Sequence, residues 1–235
     1  TRELITSFKN LKSPKFIESK KYTTYGRNFE FNEKEWQGLK IFFNLKNENN
    51  SRGMCVNCHT PPLFSDQFFH NMGTTQLEYD GIHGVGSFNK LSIPSLNQRK
   101  PDQYLSTRPT ANNVNDVDLG MWNFFARDGK DTLTNYVSKK LCSDNDDCTN
   151  KALLPFMIAR VKTPTLRNLG QSEPYLHNGS AKKLKDVLDQ YINSSKLMRA
   201  KQLRNGAPQL RPMQINGDDR ESLKAFLNTL NSEYE

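Results

Sequence analysis

No run of about 18 or more apolar residues occurs in the 235-residue chain, so no segment has the length and character of a membrane-spanning helix. The start at Thr1 lacks the basic and apolar regions of a signal peptide, and the expectation is a soluble chain that is processed or truncated. Apolar residues are scarce as well. Only 35% of the chain is hydrophobic and the mean hydropathy is -0.78, low for a self-sufficient globule unless a buried apolar prosthetic group adds to its core. Basic residues outnumber acidic ones, 33 to 25, for a formal charge of +8, but they form no concentrated run, which argues against nucleic acid as the partner. Cysteine is sparse: four residues in two close pairs, Cys55/Cys58 and Cys142/Cys148.

No internal repeat and no strand-rich region is evident, and the pattern of apolar positions predicts a mostly helical chain. Residues 1–20 read as an amphipathic helix followed by a Lys/Ser-rich connection. Residues 32–43 read as a helix opened by Asn32 and carrying Trp36, Leu39, Ile41, Phe42 and Phe43. From Gly73 to Asp118 the chain is rich in Gly, Asn, Pro and Ser without a sustained period, which predicts a long irregular excursion of the kind that usually wraps something. Short helices are expected over 122–125, 133–141 and 153–158. Clearer ones are expected over 181–192, with Leu184, Val187, Leu188 and Tyr191 on one face, and over 218–230, with Leu223, Phe226, Leu227 and Leu230. Length favours one domain over residues 1–235.

The strongest chemical signal is Cys55-Val56-Asn57-Cys58-His59. Two thiols three positions apart can add across the two vinyl groups of a haem, while a histidine directly after the second reaches the iron from the same short turn. With four Cys and four His in 235 residues, chance supplies roughly one such match per thousand chains, which makes coincidence a poor explanation. The competing uses are a redox-active dithiol or half of a zinc site. Zinc would need a second ligand pair, and the spacing of Cys142 and Cys148 does not supply one. That second pair lies in a polar, acidic loop with no histidine beside it. A local disulfide is expected there, and with it an oxidising, extracytoplasmic compartment. One covalently attached haem c per chain is therefore the expected cofactor. Its propionates would offset part of the positive charge. A basic rim that docks an acidic redox partner is the functional alternative to plain solvation of those charges.

The motif continues from Cys55-Val56-Asn57-Cys58-His59 through Thr60-Pro61-Pro62-Leu63-Phe64-Ser65-Asp66 to Phe69-His70-Asn71-Met72-Gly73. About 100 residues later come Lys162-Thr163-Pro164-Thr165-Leu166-Arg167-Asn168-Leu169-Gly170 and Pro174-Tyr175-Leu176-His177-Asn178-Gly179-Ser180. Together these blocks resemble the bacterial di-haem cytochrome c peroxidase family, including its MauG-type branch, over the stretch from about Glu35 to the C-terminal residues. The resemblance implies an all-α, cytochrome c-like haem domain with long irregular loops. The family has two haem motifs; this chain has one, and its blocks match the C-terminal half, so the N-terminal haem domain is expected to be absent from it. In the family the C-terminal haem is the electron-transferring one, and peroxide is handled at the other. The resemblance thus implies a component of a peroxide-dependent oxidoreductase, located in the periplasm. Its partner would be a redox protein or a second haem domain, with hydrogen peroxide at the partner haem. A stand-alone monohaem cytochrome, acting as electron carrier or haem-based binding module, is the alternative. Family members also hold calcium between their domains, which extends the cofactor expectation to that ion.

The sixth position on the iron decides between relay and open site. By the resemblance, the family's distal ligand, Met or Tyr, falls on the helix after the Pro174 block, where Tyr191 stands. Tyr191 could equally be a core tyrosine on the apolar stripe. Met198 follows seven residues later, and Met72, Met121, Met157 and Met213 are more readily read as packing residues. Arg167 is a candidate to pair with a propionate. His70 and His177 are candidates to hydrogen-bond backbone or propionate in the haem pocket, and His83 is expected at the surface.

Overall fold

The computed structural model describes residues 21–24, 27–93, 107–125, 136 and 153–231. The expected helix over 1–20, all of that over 133–141 but Tyr136, and the Cys142/Cys148 disulfide with its acidic loop lie outside the described residues. In chain order the elements are β1 (Lys21–Thr24), β2 (Arg27–Glu30), α1 (Glu33–Phe42), β3 (Phe69–His70), α2 (Thr74–His83), α3 (Ser87–Lys90), α4 (Met121–Phe125), β4 (Val161–Lys162), α5 (Leu184–Arg199) and α6 (Asp219–Asn228). Short 3₁₀ turns lie at Cys55–Asn57, Leu154–Met157, Leu169–Gln171 and Pro208–Leu210. The fold is helix-rich, with two small antiparallel ladders, β1 with β2 and β3 with β4. No described helix is long and apolar enough to cross a membrane.

The chain divides into two compact units, interleaved along the sequence. The first takes its described residues from Thr1–Phe68, Thr163–Ser195 and Gln209–Glu235; the second, from Phe69–Lys162 and Lys196–Pro208.

In the first unit, α1 begins where Asn32 caps it. The Asn32 side chain accepts from the Lys34 N–H at 2.9 Å, and Glu35 reaches back to the Asn32 N–H at 3.0 Å. These two bonds satisfy donors that the first helical turn otherwise leaves open. The helix buries Trp36, Ile41 and Phe42, and α6 buries Leu223, Phe226 and Leu227. Phe42 and Phe226 meet with ring centroids 5.2 Å apart, in one cluster with Phe43, Val56, Phe64, Leu184 and Leu188. Side chains of this size each contribute on the order of 2 kcal/mol when taken out of water. Close approach of the two helices depends on Gly38, where a Cβ would stand 2.0 Å from the Ser222 carbonyl oxygen.

The second unit corrects one expectation. Two helices, α2 and α3, interrupt the excursion read from Gly73 to Asp118. Each starts after a glycine in the left-handed region, Gly73 at φ 82° and Gly86 at φ 82°. The face that α2 buries is largely polar: Thr74, Thr75 and Gln76 with Tyr79. Gln76 is kept buried by paired bonds, its amide N–H donating to the Gln202 carbonyl at 2.8 Å and its oxygen accepting from the Arg204 N–H at 2.9 Å. A separate apolar cluster joins Tyr79, Phe88, Leu119, Met121, Trp122, Met157, Ile158 and Ala159.

Candidate haem-attachment site

The attachment segment is delivered by the end of α1. The Gly53 N–H donates to the Ile41 carbonyl at 3.1 Å, and a Cβ on Gly53 would lie 2.6 Å from that same oxygen, so the approach requires glycine. Arg52 is tied to Gln214 by reciprocal backbone bonds of 2.6 and 2.9 Å. Met54, at φ 56°, turns the chain into the Cys55–Asn57 3₁₀ turn. The Cys58 and His59 N–H groups both donate to the Cys55 carbonyl, at 3.2 and 2.8 Å. Cys55, Cys58 and His59 are thereby gathered at positions i, i+3 and i+4 of one turn, which is the spacing that places side chains on one face. Val56, between them, is buried in the apolar cluster and anchors the turn.

His59 is buried, and its Nδ1 lies 2.9 Å from the Phe64 carbonyl oxygen. A carbonyl only accepts, so Nδ1 carries the proton and Nε2 carries the lone pair. That is the tautomer an imidazole needs to bind a metal through Nε2. Phe64 holds its carbonyl there from a left-handed backbone, φ 53°, with its ring 5.8 Å from Phe42.

Both thiols are pushed up to about 12. For Cys55 the first cause is burial and the second the neighbouring Cys58; for Cys58 burial comes first and Asp66 second. They are held as neutral thiols, and neither is in a disulfide. Tyr191, on α5, has its hydroxyl raised well above the ordinary tyrosine range, first by burial and then by Cys55 and Cys58. Tyr191 is half-buried, on the helix whose Leu184 and Leu188 join the apolar cluster that also buries Val56 of the attachment turn. Two protonated thiols, one tautomerically fixed imidazole and a neutral phenol suit a covalently tethered haem.

The other sequence candidates are distributed differently. Arg167 is exposed, its Nε donates to the Pro62 carbonyl at 2.8 Å, and its guanidinium lies 5.4 Å from the Phe64 ring centroid. His177 is exposed, in a turn where the Gly179 N–H donates to the Leu176 carbonyl at 3.1 Å. Met121 and Met157 are buried in the apolar cluster of the second unit, and Met213 is buried in the first. His83 is half-buried rather than at the surface, its ring 4.4 Å from that of Tyr79. The Phe64 carbonyl escaped the sequence reading, because a backbone acceptor leaves no mark in residue type.

No family model matches the chain. Among curated proteins it is 22% identical over 181 residues to the cytochrome-c peroxidase IdrP1 of Pseudomonas sp. (strain SCT), and 25% identical over 182 residues to the cytochrome-c peroxidase IdrP2 of Denitromonas iodatirespirans. Each match takes in 77% of this chain and 37% of the relative. A further match, 35% identical over 72 residues, is to the methylamine utilization protein MauG of Methylorubrum extorquens, covering 31% of this chain and 19% of that protein. The crystal structure of a MauG-like protein associated with microbial copper homeostasis is similar at a TM-score of 0.47 and 19% identity, over 87% of this chain and 45% of that one. The Cys55–His59 turn has the residues and spacing of a c-type haem attachment motif. These matches support a likeness to the di-haem cytochrome c peroxidase and MauG family, and the chain spans well under half the length of these curated relatives.

Proposed function

We propose that residues 1–235 form one all-α, cytochrome c-like domain that carries a single haem c and serves as the electron-transferring part of a peroxidase or MauG-like oxidoreductase. The observation that carries this reading is the Cys55–His59 turn, in which two neutral thiols and an imidazole with its proton fixed on Nδ1 stand on one face. Cys55 and Cys58 would hold the group through two thioethers, each sulfur exchanging its S–H bond for an S–C bond as the proton goes to the neighbouring vinyl carbon. His59 would ligate the iron through Nε2. When bound, haem c supplies an iron that changes oxidation state by one electron without leaving the protein. Tyr191 would supply a second protein ligand to the iron, which would keep peroxide from it and favour a relay over a peroxide-binding site. His177 contributes to the edge of the pocket. The electrons pass to or from a redox protein or a second haem domain in an extracytoplasmic compartment, and peroxide reacts at that partner.

Expression with a cytochrome c maturation system tests the reading. Denaturing mass spectrometry should give the mass of one haem per chain, and the native protein a Soret band. Cys55→Ala combined with Cys58→Ala should remove the covalent increment. A wild-type protein with neither Soret absorption nor added mass would overturn the assignment.

A further inference from the structure

The segment at residues 163–167 runs beside the turn at 62–65 and is joined to it by three side-chain bonds at alternate positions. The Ser65 hydroxyl donates to the Thr163 carbonyl at 2.8 Å, the Thr165 hydroxyl donates to the Leu63 carbonyl at 2.6 Å, and Arg167 Nε donates to the Pro62 carbonyl at 2.8 Å. Thr165 Oγ1 also accepts from the Arg167 N–H at 3.2 Å, which couples the last two of these contacts. The turn they hold ends in Phe64, whose carbonyl accepts from His59 Nδ1 at 2.9 Å.

We infer that Arg167 and Thr165 are positioning residues for His59, setting the donor strength of its imidazole by fixing the direction of the Phe64 carbonyl. This inference rests on the haem reading above. Phe64 has a side chain yet adopts φ 53°, a conformation that persists where surrounding contacts impose it. One contact is the Phe42 ring and another the Arg167 guanidinium, 5.4 Å from the Phe64 ring centroid. Arg167 thus touches the turn twice, through Nε at Pro62 and through its flat face at Phe64. Lysine keeps the charge but has neither the Nε–H nor the planar face, so it cannot make both contacts. Hydrogen bonds weaken as the donor–acceptor line bends. A Phe64 carbonyl released from its support therefore draws less on the Nδ1 proton. The imidazole becomes a poorer donor at Nε2, and a poorer donor stabilises ferric iron less.

The sign of the change separates this role from a purely electrostatic one. An arginine that acts by its charge, as in pairing with a propionate, is replaced by lysine without a change in potential, and neutral Thr165 has no part in it. The haem-loaded full chain is titrated spectroelectrochemically as wild type, Arg167→Lys and Thr165→Val, with circular dichroism and the Soret band as checks on fold and loading. The expected result is a positive shift of the midpoint potential in both variants. Unchanged or lowered potentials in haem-loaded variants would overturn the positioning role and leave the haem assignment standing. If Arg167→Lys does not mature, Thr165→Val decides by the same criterion. A wild type without haem would remove both readings together.

Discussion

At the scale of single residues, His59 has its protonated nitrogen chosen five positions downstream, by a carbonyl that any residue could have carried. Residue type announced the Cys55, Cys58 and His59 donors, because thioether attachment and iron ligation demand those side chains at that spacing. It left Tyr191 undecided, since a tyrosine on an apolar helical stripe serves equally as core or ligand. Its helix packs, through Leu184 and Leu188, in the cluster that buries Val56 of the attachment turn. Tyr191→Phe then leaves the ring and removes the oxygen. In the haem-loaded protein the ferric absorption and electron paramagnetic resonance spectra should change to those of a different ligand set. Spectra identical to wild type would take Tyr191 out of the coordination sphere.

Among the elements, those with apolar periodicity were legible and those built on polar burial were not. The Asn32 cap, the Glu35 return bond and the stripe Trp36, Ile41, Phe42 are local signals, and α1 forms within a residue of the expected span. Helix α2 carries no such stripe, because three of its four buried residues, Thr74, Thr75 and Gln76, are polar, and the Gln76 amide is satisfied by the distant backbone of residues 202–204. Where α1 meets α6, Gly38→Ala would place its Cβ against the Ser222 carbonyl. The overpacking should cost about 1–3 kcal/mol, exceeding the gain of about 1 kcal/mol that alanine brings to a helix interior. Urea denaturation should show a lower midpoint; an unchanged or higher one would mean that the helices separate freely. Asp189 on α5 accepts from Lys185 and pairs with Arg220 of α6. Its carboxyl lies below the usual range, first through the Lys185 hydrogen bond, with Arg220 adding to it. The unfolded chain therefore binds the proton more readily. The resulting stabilisation is present above about pH 4 and disappears as pH falls through the lower folded value. For so exposed a group it amounts to less than about 1 kcal/mol. Asp189→Asn should lower stability near neutral pH by that amount and flatten the acid limb of the stability curve. Identical pH profiles for wild type and variant would exclude the contribution.

For the molecule as a whole, the charge of +8 bears on encounter rather than on fold. Under the proposed relay role, electron exchange with an acidic redox protein should slow as ionic strength rises, because screening shortens the reach of the attraction. Stopped-flow rates at low and high salt give the slope, and a flat dependence would leave the basic residues to solvation alone.

Sequence alone determined the Cys55–His59 attachment pattern, the family likeness and the larger amphipathic helices, since each depends on residue identity over a span of a few turns. The interleaving of two compact units, the support of residues 62–65 by residues 163–167 and the tautomer of His59 were decided only by the tertiary structure. The last two depend on backbone carbonyl acceptors, which leave no mark in residue type: Phe64 lies five positions from His59, and the bonds between 62–65 and 163–167 join residues about 100 apart.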